Sequence, residues 1–150
     1  MICEILKYND KGSSSLFHPS KKVLDFGNDL RRNAQDLIDT LKNTKDALGL
    51  AGPQIKINYS ICAALLGGKI EILCNPKIVW KSQEREKMEE GCLSFPGIFL
   101  VVPRFKEIEV VYQDLNGNER KIRTRGVEAR LLQHEVDHLE GTTFVERAEE

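Results

Sequence analysis

Residues 133–139 read Gln133-His134-Glu135-Val136-Asp137-His138-Leu139, and the reading of this stretch decides how the rest of the chain is arranged. Two histidines four residues apart share one face of a helix, close enough to grip a single metal ion. A glutamate beside the first can handle the protons of a water activated by that ion. The pattern points to metal-assisted hydrolysis. The surroundings support a helix rather than a chance match. Val127, Ala129, Leu131, Leu132, Val136 and Leu139 recur at helical spacing after Arg125-Gly126, and Gly141 is a natural stop. Val127, Leu131, His134 and His138 follow one another at steps of four, three and four, which predicts that both imidazoles continue an inward apolar stripe. Neutral histidines buried there need a partner, because unpaired buried polar groups are costly.

A catalytic metal site of this kind takes three protein ligands and keeps one position open. Only twelve residues follow His138; none is histidine, and they are too few for a returning helix. The third ligand is therefore expected upstream. Cys62, in the apolar run Tyr59–Leu66, and Cys74, in Ile72-Leu73-Cys74-Asn75-Pro76, read as core residues of strands; Cys3 reads as a core residue of the apolar opening segment. His18 stands beside Pro19 in a polar region and reads as a surface residue. Cys92 differs. It lies in Glu89-Glu90-Gly91-Cys92-Leu93-Ser94-Phe95-Pro96-Gly97, which reads as a loop, where functional groups concentrate. Cys92, His134 and His138 form the expected set. A thiolate in that set tolerates iron, zinc, nickel or cobalt.

Working outward, residues 9–22 read as loop, and residues from about Asp25 to Asn43 as an amphipathic helix with Leu30, Ala34, Leu37, Ile38 and Leu41 on one side. Strand signals follow at 58–66, 70–74 and 77–81. A further pair at 107–113 and 120–124 is joined through Asp114–Asn118, where Asn116-Gly117 is a tight hairpin signal. Strands followed by a helix predict an α+β fold, with mostly antiparallel sheets around a central metal-binding helix and an amphipathic helix toward the N-terminus. A chain of 150 residues suits a single catalytic domain spanning 1–150. The net charge of −1 gives no strong pull toward nucleic acid or membrane. The densest basic stretch, Glu119–Arg125, reads as a solvated strand face. No run is long and apolar enough to span a bilayer, and the N-terminus lacks a signal-peptide pattern. Four cysteines in a chain this long do not suggest a disulfide framework, so a reducing cytoplasm is expected.

Three segments, in order, resemble the motifs of the peptide deformylases: Gly49-Leu50-Ala51-Gly52-Pro53-Gln54, Glu90-Gly91-Cys92-Leu93-Ser94 and Gln133-His134-Glu135-Val136-Asp137-His138. The likeness extends from about Leu30 to Arg147. It implies that Cys92, His134 and His138 bind one divalent metal, with Fe2+ the usual native ion and Zn2+, Ni2+ or Co2+ as substitutes. It implies that Glu135 acts as general base and then general acid. The side-chain amide of Gln54 and the backbone N–H of Leu93 would bind the developing oxyanion. The NH2 of Gln54 suits that role as a neutral donor, and each such donor is worth about 3 kcal/mol of barrier. The implied reaction removes the formyl group from the N-terminal formyl-methionine of new polypeptides, in the cytoplasm of a bacterium or a phage-infected host.

A methionine side chain needs an apolar slot. Leu48, Val127 and Leu131 are candidates, although each taken singly reads more readily as plain core, with Gly49, Glu90 and Gly91 beside them among the expected substrate-binding residues. Glu90 and Arg104 are a candidate pair bracing the Cys92 loop, and are equally readable as solvated surface residues. The motifs also depart from the family. Ala47 stands where its first motif opens with glycine, and Gly52 where it has alanine. Gly52 adds backbone freedom near Gln54, which predicts a less rigid oxyanion site. Residues 7–15 fit the family's opening pattern poorly. The short stretch after His138 resembles forms, phage-encoded ones included, without the C-terminal helix of many bacterial members. Formyl-Met nascent peptides, transient ribosome association and a monomeric state are implied, but ribosome contact through such a helix is not. Two other readings compete: a small metallopeptidase, disfavoured by the upstream cysteine, and a non-catalytic metal-binding protein, which would need neither Glu135 nor Gln54.

Overall fold

The computed structural model describes residues 1–149. Its main helices are α1 (Asn28–Lys42) and α2 (Val127–Leu139), followed by a single turn α3 (Phe144–Arg147). The strands are β1 (Gly49–Ala51), β2 (Ile61–Leu66), β3 (Lys69–Lys81), β4 (Arg85–Cys92), β5 (Phe95–Phe105), β6 (Glu107–Gln113) and β7 (Glu119–Arg125). They form a five-stranded sheet in the order β1-β2-β3-β6-β7 and a two-stranded sheet of β4 and β5, with every pairing of these strands antiparallel. The mixed, mostly antiparallel fold expected from the strand signals is present.

The period-2 geometry of β2 explains the layering. Ile61 and Ala63 point to one face and pack with Leu30, Ala34, Leu37 and Leu41 of α1. Cys62, Ala64 and Leu66 point to the other and pack with Ala129, Leu132 and Leu139 of α2. The strand is apolar along almost its whole length because it is covered on both sides. Each fully buried aliphatic side chain in these two clusters, Leu37 or Leu132 for example, contributes roughly 1.5–3 kcal/mol. The β4–β5 hairpin lies across the far side of α2, where Phe95 and Val102 pack with Phe144 of α3. The helix with both histidines is thus held between two sheets.

Several expectations need correction. The strands expected at 70–74 and 77–81 are one strand, β3, whose pairing with β6 shifts register between Cys74 and Lys77. The strand expected to start at residue 58 starts at Ile61, because Tyr59 instead bridges Lys21. Cys92 is not in a loop: it is the last residue of β4, with Leu93-Ser94 making the turn into β5. Hydrophobic alternation does not reveal β4, because all but one of its first six residues are exposed. Finally, α2 has two apolar stripes. Ala129, Leu132, Val136 and Leu139 face the core, whereas Val127 is 56% exposed and Leu131 is half-buried. The stripe that runs into His134 is therefore open to solvent rather than inward.

Candidate active site

A cleft of about 600 Å³ opens between α2, the β1 segment and the hairpin. Leu48, Gly49 and Gln54 form one wall; Glu90, Gly91, Cys92 and Leu93 form the opposite one. Val127, Leu131, His134 and Glu135 line it from α2. Every candidate site residue except His138 reaches this space; His138 lies behind it, 1% exposed. Leu48 and Val127 have exposed side chains and are cleft residues rather than core. Met88, Phe95, Ile98 and Phe99 make much of the remaining wall apolar.

One ligand atom each from Cys92, His134 and His138 lies within 4.8 Å of the other two. Nε2 of His138 is 3.2 Å from Nε2 of His134 and 3.3 Å from Sγ of Cys92. A tetrahedral ion with bonds of about 2.0–2.1 Å to nitrogen and 2.3 Å to sulfur has edges of roughly 3.3–3.6 Å. The donor set and its spacing fit such an ion. The electrostatics agree. Burial lowers the pKa of His134, but hydrogen bonds to Cys92 and Glu90 outweigh it and raise the pKa to about 10 in the metal-free protein. Burial, then the charge on His134, pushes His138 well down. The centre favours one positive charge among these atoms, and a dication can take the proton's place.

Side chains around the centre fix its orientation. Nδ1 of His134 lies 3.0 Å from Glu90 Oε1, and as a donor there leaves Nε2 free to ligate. Glu90 also accepts from Arg104 through Nε at 2.9 Å and Nη2 at 3.0 Å, so the anticipated pair exists and is buried. Burial would raise Glu90, but the bonds from His134 and Arg104 lower it to about 2. Arg104 reaches on to Asp137 at 2.6 Å, and Arg147 closes on the same carboxylate from α3. Gln133 binds both the N–H and the carbonyl of Phe105, tying α2 to the end of β5. Asp137, Gln133, Arg130 and Arg147 were not singled out from sequence. Gln133 and Asp137 stand in the third motif without an assigned role, Arg130 signals only through polarity at a buried position of α2, and exposed Arg147 carries no signal.

Gln54 is 2% exposed. Its amide oxygen accepts from the backbone N–H of Ala51 at 2.9 Å, which orients its NH2 toward Ser94 Oγ at 3.1 Å and Cys92 Sγ at 3.8 Å. The expected looseness around Gly52 is not found. A β-carbon there would lie 2.8 Å from the Ile57 carbonyl and 3.0 Å from that of Tyr59, so backbone encloses this glycine. Gly49 is equally tight: a β-carbon would stand 2.5 Å from Glu135 Oε2 and 2.7 Å from Leu131. The missing side chain lets β1 pass directly over the Glu135 carboxylate. Glu135 Oε1 is buried with no hydrogen-bond partner among the described residues, and burial raises its pKa to about 7.

The chain is similar to known proteins along nearly its whole length. Residues 2–150 match the family model for polypeptide deformylase. A peptide deformylase of Natranaerobius thermophilus is 40% identical over 149 residues, spanning 97% of this chain and 94% of its own. The crystal structure of peptide deformylase from Thermotoga maritima superposes with a TM-score of 0.93 at 33% identity, covering 100% of this chain and 99% of that one. A peptide deformylase from Synechococcus elongatus, in complex with actinonin, superposes with a TM-score of 0.90 at 36% identity, covering 99% and 79% of the two chains. With agreement along the whole chain in sequence and in fold, and a Cys/His/His group at the cleft, the chain belongs to the polypeptide deformylase family.

Proposed function

We propose that this enzyme removes the formyl group from the N-terminal formyl-methionine of newly made polypeptides, with residues 1–150 acting as one catalytic domain. The observation that carries the reading is the meeting of three metal-type donors with a buried, unpartnered carboxylate in one cleft. Cys92, His134 and His138 would hold the divalent ion, Fe2+ by family habit and Zn2+, Ni2+ or Co2+ in substitution. When bound, the ion supplies Lewis acidity, which polarises the formyl carbonyl and acidifies water.

The chain's own residues do the rest. Glu135 takes a proton from the attacking water and returns it to the departing amine; a pKa near neutrality suits both directions. Gln54, held by Ala51, donates through Nε2 to the formyl oxygen as that atom gains charge. The backbone N–H of Leu93, one residue past Cys92 in the turn, is the second donor. Leu48, Val127 and Leu131 shape the apolar wall for the methionine side chain, and Gly49 and Gly91 line the cleft beside them. No helix among the described residues is long and apolar enough to cross a membrane. A cysteine assigned to metal ligation suits a reducing compartment.

The test is anaerobic purification, loading with iron, nickel or cobalt, and incubation with formyl-Met peptides. Stoichiometric formate release is expected. Absence of formate with all three metals, or cleavage of internal peptide bonds instead, would overturn the assignment.

A further inference from the structure

We infer that Arg130 is a positioning residue for the metal centre, acting through Glu90. The inference rests on reading Cys92, His134 and His138 as ligands of one divalent ion. Arg130 precedes His134 by one turn of α2 and is 9% exposed. Its guanidinium makes three bonds. Nη1 donates to Glu90 Oε2 at 2.5 Å and to the Val102 carbonyl at 2.9 Å, and Nη2 donates to the Glu86 carbonyl at 2.6 Å. The two carbonyls belong to β5 and β4, so both strands of the hairpin hold Arg130 in place.

The consequence lies at the carboxylate. Oε1 of Glu90 meets Arg104 Nη2 and His134 Nδ1; Oε2 meets Arg104 Nε and Arg130 Nη1. A carboxylate offers about four acceptor sites, and all are taken. Arg104 alone defines the plane of the group. Arg130 occupies the remaining site of Oε2, so the one site left for His134 is on Oε1. That assignment keeps the His134 proton on Nδ1 and the lone pair of Nε2 turned toward Cys92 and His138. Partners one shell out from a metal typically govern affinity by 10–100-fold. A guanidinium can serve three acceptors in one plane; an ammonium could serve Glu90 but not both carbonyls at once.

The experiment measures metal affinity, not turnover, by chelator competition on the full chain loaded with cobalt(II), together with the visible spectrum of the bound ion. Arg130→Met is expected to bind about 10–100-fold more weakly, with an altered cobalt band, and Arg130→Lys to recover most of the loss by restoring a charged donor at Oε2. In a Glu90→Gln background, Arg130→Met should weaken binding no further, because the carboxylate through which it acts is gone. Wild-type affinity and spectrum in Arg130→Met, equal losses in the Met and Lys variants, or full additivity with Glu90→Gln would each overturn the inference. Should Arg130→Met fail to fold, Arg130→Gln, a neutral donor, takes its place in the same comparison. A wild-type protein that bound no cobalt would defeat the metal reading itself, whereas tight wild-type binding with indifferent variants would defeat only the role of Arg130.

Discussion

Buried carboxylates ordinarily fill their acceptor sites, and Glu90 does so with four donors. Glu135, next to His134, does not: one oxygen has no partner among the described residues, and burial holds the group near pKa 7. A group left unsatisfied at that cost is suited to receive and release a proton. Glu135→Ala is therefore expected to keep its metal, measured as moles per mole of protein, while kcat for formate release falls at least about 100-fold. Persistent turnover would assign the base elsewhere. Gly52 makes a different point at the same scale. Read from sequence as a source of freedom, it is enclosed by backbone carbonyls instead. Gly52→Ala would restore the family's usual residue yet force a methyl group against the Ile57 carbonyl. Overpacking of this kind costs about 1–3 kcal/mol, which urea denaturation would read as a lower midpoint. An unchanged midpoint would show that the 57–61 segment yields readily.

The elements built on hydrophobic periodicity were legible from sequence, and those built on polar contacts were not. Helix α1 announced itself through Leu30, Ala34, Leu37 and Leu41, which all face the same cluster. The β6–β7 pair announced itself through Asn116-Gly117, and its turn is braced by the Asp114 side chain accepting from Asn116 and Asn118. Strand β4 gave no such sign. Its sequence, Arg-Glu-Lys-Met-Glu-Glu-Gly-Cys, alternates no apolar face, and Pro96, Gly97 and Pro103 in β5 read as breakers. The Glu90, Arg104, Arg130 and Asp137 network binds this hairpin to α2; of its contacts only the Glu90–Arg104 pair was legible from sequence, because nothing in a single sequence links charges on the hairpin to charges on α2. The network sets a pH dependence. The folded pKa of Glu90, about 2, lies below the ordinary 4.5, so Glu90 stabilises the fold fully above pH 4.5 and progressively less as pH falls toward 2. The shift corresponds to about 3 kcal/mol. Glu90→Gln should cost about 3–5 kcal/mol at pH 7, because it leaves buried guanidinium charge less well compensated. Its urea midpoint should also fall less steeply than wild type between pH 4.5 and 2. Parallel profiles for the two proteins would place the acid-labile contact elsewhere.

At the scale of the whole molecule, the ligands divide between two bodies. Cys92 ends a strand of the two-stranded sheet, whereas His134 and His138 sit on a helix packed against the five-stranded one. An ion held by all three would therefore clamp the hairpin to the rest of the protein, beside the Glu90 network and the small Phe95, Val102 and Phe144 cluster. Binding energy of this kind adds to folding energy: at a thousand times the dissociation constant it is worth about 4 kcal/mol. It should not be spread evenly, since β2 and β3 lie between two large apolar clusters and owe nothing to the thiolate. Chelation is then expected to speed amide hydrogen exchange at least about tenfold across residues 85–105 and to leave the centre of β2 and β3 unchanged. Mass-spectrometric exchange on metal-loaded and metal-stripped protein measures this directly. Cys92→Ser should reproduce the stripped pattern even with metal in the buffer, because the bond to the hairpin is the one removed. Uniform loosening of both sheets on chelation would mean that the ion supports the fold as a whole rather than joining these two parts.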